Sequence, residues 1–146
     1  KIVSSFNTKI GLISNSGIDD FFHFFGGGMP GIKGYTFYDS TIAGPHLWVN
    51  SLSIRCPVML EKNIKLLNLN IQNISVGGVF QAGGAFDDDI YDWINEKQYK
   101  LSYGFEARFS GYSFYAYPIA ISYELHKPIA DKSESFKSYF SILFDF

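Results

Sequence analysis

Several features that identify other classes of protein are missing from this sequence. Its single cysteine, Cys56, cannot form a disulfide within the chain. Lys and Arg number 12 against 14 Asp and Glu, so the net charge of −2 gives no sign of the basic surface of a nucleic-acid-binding domain. No run of about 18 apolar residues occurs, so no transmembrane helix is predicted. The 146 residues are enough for one domain, whose class must be inferred from other patterns.

Aromatic residues, by contrast, are abundant. The chain has 15 Phe and 10 Tyr beside only 2 Trp, and 47% of its residues are hydrophobic. They occur where apolar and polar residues alternate, and this period of two predicts β-strands with one apolar face. Two classes of protein share the pattern, the wall of a transmembrane β-barrel and the soluble β-sandwich. Composition alone favours the sandwich, because soluble β proteins are far more common.

Six segments alternate in this way, and we predict a strand for each of them. They cover residues 2–12, 47–56, 66–82, 101–109, 115–125 and 136–146. In the third segment the parity of the apolar residues changes at residues 72–73, which predicts a bulge. Pro57 is expected to end the second strand, and Gly83 and Gly84 the third, because these residue types weaken a ladder. The predicted fold class is all-β and antiparallel.

The connections and the polar residues both favour the membrane interpretation. Connections between the predicted strands alternate between long and short, as they do in outer-membrane barrels. The less apolar strand faces carry mostly Ser, Gly and Ala, with a few charged residues: Arg55, Glu106, Arg108 and Glu124. Charged side chains are costly towards lipid but acceptable towards a water-filled lumen, whereas a soluble sheet would expose more charge. We therefore predict part of an antiparallel transmembrane β-barrel, with about six strands.

A glycine-rich stretch separates the first two predicted strands. Between Gly26 and Tyr35 the chain has five glycines, one proline and one cation, Lys33. Glycine permits turns that other residues cannot make, and Pro30 fixes one φ angle, so the stretch predicts a folded loop. It lacks the Lys-Ser/Thr ending of a phosphate-binding loop. We expect the loop to hold Lys33 and Tyr35 in defined positions.

Three stretches and the chain's last strand resemble, in order, the motifs of one family. Residues 53–57, Ser-Ile-Arg-Cys-Pro, resemble a Glu-x-Arg-x-Pro strand, and residues 79–83, Val-Phe-Gln-Ala-Gly, resemble a Phe-x-Asp-Ala-Gly strand. The loop residues Ile32, Lys33, Gly34 and Tyr35 resemble a Val-Arg-Gly-Phe/Tyr loop. In the last strand, Phe140, Ile142, Phe144 and Phe146 resemble a terminal barrel signal that ends in Phe. On these motifs the chain resembles the carboxy-terminal part of the bacterial surface antigen superfamily, the outer-membrane barrels of β-barrel assembly and two-partner secretion.

The resemblance implies a barrel of about sixteen strands, of which residues 1–146 would form the last third. The loop over residues 15–45 would fold into the lumen and meet inner-wall partners: Ser53, Arg55, Gln81, Glu106 and Arg108. The implied location is the bacterial outer membrane, or an organelle outer membrane of bacterial descent. The implied partners are outer-membrane lipid and lipopolysaccharide, the remaining strands of the same barrel, and subunits of an assembly machinery. A chain that begins at Lys1 without Met is expected to be a processed or excised portion.

The chain departs from the family's motifs at three linked positions. Lys33 replaces the motif arginine, and Ser53 and Gln81 replace two acidic residues. An arginine fork facing two carboxylates thus becomes a point cation facing neutral groups, which avoids an unpaired buried charge. Because Glu106 lies on the inward face of the fourth predicted strand, we predict that it pairs with Lys33 instead.

The function implied by the resemblance is outer-membrane protein assembly or protein translocation. The alternative is a barrel that only anchors an upstream soluble domain, of propeller or hydrolase type, in the membrane. No catalytic constellation stands out, so we predict neither enzyme activity nor a cofactor. The acidic stretch over residues 87–92 is interpreted as a solvated loop rather than a metal site. His23, His46 and His126 lack the spacing of metal ligands, and no metal site is predicted.

Overall fold

An antiparallel β-sheet dominates the structure, a computed structural model that describes residues 1–14, 19–66, 68–87, 90–95, 98–113, 117–129 and 135–144. Its strands are, in chain order, β1 (Val3–Leu12), β2 (Phe24–Phe25), β3 (Ala43–Gly44), β4 (His46–Met59), β5 (Ile64–Leu66), β6 (Leu69–Phe86), β7 (Lys100–Ser113), β8 (Tyr117–Pro128) and β9 (Lys137–Phe144). The described residues also form one short helix, α1 (Ile90–Asn95), and single turns of 3-10 helix at Asp20–Phe22 and Ser40–Ile42. None of these helices is long and apolar enough to cross a membrane. The prediction of an all-β, antiparallel fold is confirmed.

Seven strands form one sheet, in which each long strand pairs antiparallel with the next long strand of the chain. The order across the sheet is β1-β4-β6-β7-β8-β9, and β5 pairs with the first residues of β6. β2 and β3 form a separate small sheet within the connection from β1 to β4. Within the described residues, the outer edges of β1 and β9 pair with no strand. The sheet is therefore open at both sides rather than closed on itself.

Strand β4 is longer than predicted, because Pro57 does not end it. Pro57 pairs with Ser75 of β6, and the register between the two strands shifts between Pro57 and Met59. β1 begins pairing only opposite Arg55, so Pro57 lies where β4 has no neighbour on that side. Proline is tolerated at such edges and bulges because its missing N–H costs no ladder bond there.

Strand β6 also passes through its expected end and continues to Phe86. Gly83 and Gly84 have φ angles of +144° and +153°, which glycine adopts without strain, so the ladder with β4 continues. The bulge predicted from the parity change is confirmed by a register shift between Ile71 and Asn73, where β6 pairs with β7.

The two faces of the sheet differ sharply in chemistry. One face is apolar and exposed, and its residues align across the strands: Phe6 with Leu52, Phe80 and Tyr103 in one row, and Cys56 with Val76, Ala107, Tyr123 and Phe140 in another. The opposite face carries the polar residues, and several of them are buried: Ser53, Gln81, Ser102, Glu106, Ser122, Glu124 and His126. We call these the outer face and the inner face.

The buried apolar core is small and lies between the inner face and the connection from β1 to β4. Ile32 and Ile42 of that connection are fully buried and pack with Tyr35 against Val49 of β4. Leu47 is partly buried beside them. The glycine-rich loop therefore covers part of the polar face of the sheet and leaves the apolar face uncovered.

Candidate functional site: the loop docked on the inner face

The glycine-rich loop is folded tightly on itself before it meets the sheet. The N–H of Ile32 donates to the carbonyl of Gly26, and the N–H of Gly26 donates to the carbonyl of Ile42, both at 2.7 Å. Gly31 lies so close to the backbone of Gly26 that a Cβ at this position would collide with the Gly26 carbonyl. Glycine is required there because no side chain fits, and this explains part of the loop's unusual composition.

Three consecutive loop residues bind three different strands. The backbone N–H of Lys33 donates to Oε1 of Gln81 on β6 at 2.8 Å. The N–H of Gly34 donates to the hydroxyl of Tyr139 on β9 at 2.7 Å, and the hydroxyl of Tyr35 donates to the carbonyl of Leu101 on β7 at 3.1 Å. The loop is thus tied across most of the width of the sheet.

The side chain of Lys33 makes an ion pair with Glu124 of β8. Its Nζ lies 2.5 Å from Oε2 of Glu124, and the Lys33 side chain is only 17% exposed. Nε2 of His126 lies 2.8 Å from the same oxygen, and His126 is fully buried. The imidazole packs against Gly104, where a Cβ would lie only 2.7 Å from the ring. One carboxylate therefore holds both the loop cation and a strand histidine.

The predicted pairing of Lys33 with Glu106 is wrong, because Glu106 already pairs with Arg55. Nε of Arg55 lies 2.6 Å from Oε2 of Glu106, and Nη2 lies 3.3 Å from Oε1, a two-point contact that uses both carboxylate oxygens. Gly77 lies between them on β6, so no side chain blocks the Arg55 side chain from crossing that strand.

The separate pairings follow from the register of β7 and β8. Glu106 and Glu124 are directly opposite each other on the inner face. Like charges in that position repel, so each carboxylate needs its own cation. Arg55 lies on the β4 side of Glu106, whereas Lys33 descends from the loop beside Glu124. The two ion pairs leave this part of the inner face without net charge.

The remaining predicted site residues are on the inner face but contribute in different ways. Oγ of Ser53 lies 2.6 Å from Oγ of Ser5, so Ser53 supports the wall rather than the loop cation. Gln81 binds the loop through the Lys33 backbone. The side chain of Arg108 lines the cleft beside the loop and forms no hydrogen bond or ion pair with the described residues.

Most of the predicted terminal signal lies on the outer face. Phe140, Ile142 and Phe144 of β9 are about half-exposed or more. Phe146 lies outside the described residues. In the acidic stretch over 87–92, residues 88 and 89 lie outside the described residues, whereas residues 90–92 begin α1. The prediction of a loop is therefore wrong for residues 90–92, and the preference for a solvated surface over a metal site stays a prediction.

Sequence reasoning missed three residues of the site: Glu124, His126 and Tyr139. The alternation of β8 placed Glu124 on the polar face, so a signal for its inward position was present. Nothing in the sequence indicated which of two inward carboxylates Lys33 would reach. The contact between Tyr139 and Gly34 could not be predicted from the sequence, because it depends on how close β9 and the loop lie in the folded structure.

The contacts of this site attach the loop to the sheet. A cleft of about 450 Å³ beside the loop is lined by residues of both ion pairs, by hydroxyl groups and by Arg108. Within the described residues, no three His, Cys, Asp or Glu side chains are placed to hold a metal ion. Comparisons with protein-family models, with curated proteins and with solved structures give no match to this chain. The contrast between the two faces and the docked loop are therefore the main observations on function.

Proposed function

We propose that this chain is part of the wall of a transmembrane β-barrel in a bacterial outer membrane, with its glycine-rich loop folded into the lumen. The observation that carries the proposal is that the apolar face of the sheet is the exposed one, the opposite of the arrangement in a soluble protein. Its polar face is partly covered by the loop, whereas its apolar face is uncovered: Phe6, Phe105 and Phe140 are 68%, 61% and 59% exposed. Continuous apolar surface of this kind requires a cover, and lipid supplies one.

The open edges support the same proposal. β1 and β9 each present a row of unpaired backbone groups within the described part of the chain. Unpaired backbone groups are not viable in lipid, so further strands of the same protein must pair with both edges. About ten more strands would complete the barrel that the family resemblance implies, with this chain as its last third.

Within this proposal, the barrel acts in the assembly or translocation of outer-membrane proteins. Its support is the motif resemblance at residues 32–35, 53–57 and 79–83, together with a loop that occupies the inner face as the resemblance implies. The second candidate is a passive anchor for an upstream soluble domain. The buried Lys33–Glu124 ion pair favours it, because it fixes the loop against the wall, where the loop obstructs the lumen.

Depletion of the full-length protein in its native host separates the candidates. Assembly or translocation predicts that other outer-membrane or secreted proteins decrease several-fold as the protein is depleted, and that a loop-deleted variant does not restore them. An anchor predicts that only the activity or position of its own upstream domain is lost. Recovery of the intact protein as a water-soluble species, without detergent, would contradict the membrane proposal itself.

A further inference from the structure

Arg108 is a cation on the inner face without an anionic partner in the described part of the chain. It is half-buried on β7, and its cross-strand neighbours are Ser75 and Ser122. The hydroxyl of Ser122 lies 2.6 Å from that of Ser141. A partly buried guanidinium needs hydrogen-bond acceptors, because its donors lose water when the side chain is covered.

The described carboxylates on this face are paired with other cations. The described strands carry two inner-face carboxylates, Glu106 and Glu124. Both oxygens of Glu106 contact Arg55, and Oε2 of Glu124 contacts Lys33 and His126. Because those pairs are neutralised, the positive charge of Arg108 is left uncompensated within the described inner face.

The cleft next to Arg108 is rich in hydrogen-bond donors. It has a volume of about 470 Å³ and lies towards the end of the sheet where β7 and β8 connect. Its polar lining consists of Gln72, Asn73, Ser110, Tyr112 and Arg108. Oδ1 of Asn73 accepts a hydrogen bond from the N–H of Glu61, so its amide NH₂ group is left to donate elsewhere. One guanidinium beside amides and hydroxyls, with no carboxylate among the described lining residues, is complementary to an oxyanion.

We propose that this cleft, which we call the Arg108 cleft, binds a phosphate group, either as free inorganic phosphate or as the phosphate of a small sugar ester. The guanidinium fork donates to two phosphate oxygens, and the amide and hydroxyl groups donate to the others. The proposal goes beyond the function proposed above and does not depend on it, because Arg108 lies on the inner face whether or not the outer face meets lipid.

The test uses the full-length protein, in detergent if it requires detergent and in buffer if it does not. Titration calorimetry with inorganic phosphate, and separately with a sugar phosphate, is compared for the wild type, Arg108→Gln, Arg108→Lys and Lys9→Gln. Lys9 is the matched control, since it is another inner-face cation but does not line the Arg108 cleft. We expect about tenfold weaker binding or more for Arg108→Gln, an intermediate loss for Arg108→Lys, and an unchanged affinity for Lys9→Gln.

Chemical modification of the wild-type protein gives a second readout that does not rely on a variant folding. Phosphate at saturating concentration should slow the reaction of Arg108 with phenylglyoxal several-fold, as measured by mass spectrometry of the Arg108 peptide. Binding of only one of the two probes would identify the source of the phosphate and would still support the site. No saturable binding, equal binding by Arg108→Gln, or equal labelling with and without phosphate would overturn the proposal.

Discussion

Glu124 is the residue on which the docked loop depends most. It holds Lys33 at 2.5 Å in surroundings where its own side chain is only 10% exposed. Removing one partner of a buried ion pair leaves the other charge without compensation, which typically costs about 3–5 kcal/mol. The parity of the strands correctly placed both inner-face carboxylates, but it could not choose between them. That choice depends on the position of Arg55 across Gly77, which is a feature of three strands together.

A double-mutant cycle distinguishes the observed pairing from the predicted one. We expect Lys33→Met and Glu124→Gln to show a coupling energy of about 1–3 kcal/mol, because these two side chains are in direct contact. Lys33→Met and Glu106→Gln should couple by less than about 0.5 kcal/mol, because Glu106 is held by Arg55. The free energies of unfolding of the full-length protein, measured by denaturant titration after reconstitution, give both values. A larger coupling with Glu106 would contradict the observed pairing.

At the scale of elements, the loop from β1 to β4 is a docked unit whose fold depends on glycine. The backbone around Gly31 leaves no space for a Cβ beside the Gly26 carbonyl. Gly34 has a φ of +101°, and a Cβ there would lie 3.2 Å from Pro128. A side chain at Gly31 would meet only the loop's own backbone, whereas one at Gly34 would also meet β8 of the sheet. Loop docking is therefore separable from sheet formation.

Gly31→Ala tests that separation. We expect the variant to keep its sheet but to expose the loop, so that limited proteolysis within residues 26–42 becomes several-fold faster. Gly78→Ala is the matched control, because a Cβ there meets nothing closer than 3.9 Å. Unchanged proteolysis of the Gly31 variant, or equal acceleration in both variants, would show that the loop does not depend on this close approach.

The positions of the long strands could be predicted from the sequence better than the residues at which they end. Alternating residues such as Phe6, Tyr103 and Phe140 located the six long strands, because a period of two is a local property. The expected stops at Pro57 and Gly83 failed, since a strand end depends on the neighbouring strand as well as on the residue. The site was predicted only in part: Lys33 and its loop were recognised, whereas the contacts with Glu124 and Tyr139 depend on strand register, which alternation does not fix.

At the scale of the whole molecule, the sheet has one polar and one exposed apolar face, as the wall of a barrel does. Within the described residues its two outer strands, β1 and β9, are unpaired on one side, as in an incomplete barrel. Its apolar rows, which include Leu52, Phe80 and Tyr103, face away from the loop. In a soluble protein this face would pack against another layer of the same protein, and in an outer-membrane barrel it would face lipid. The central claim is that lipid covers it.

Spin labels at two adjacent positions of β1 test that claim most directly. Phe6 lies on the outer face and Asn7 on the inner face, and both side chains are exposed. Nitroxides would be attached to Phe6→Cys and Asn7→Cys in a Cys56→Ser background of the full-length protein, reconstituted in liposomes. The predicted result is that oxygen, which partitions into lipid, relaxes the label at position 6, while a water-soluble nickel chelate relaxes the label at position 7. Access of the nickel chelate to position 6, or protection of position 6 from both reagents, would contradict the account.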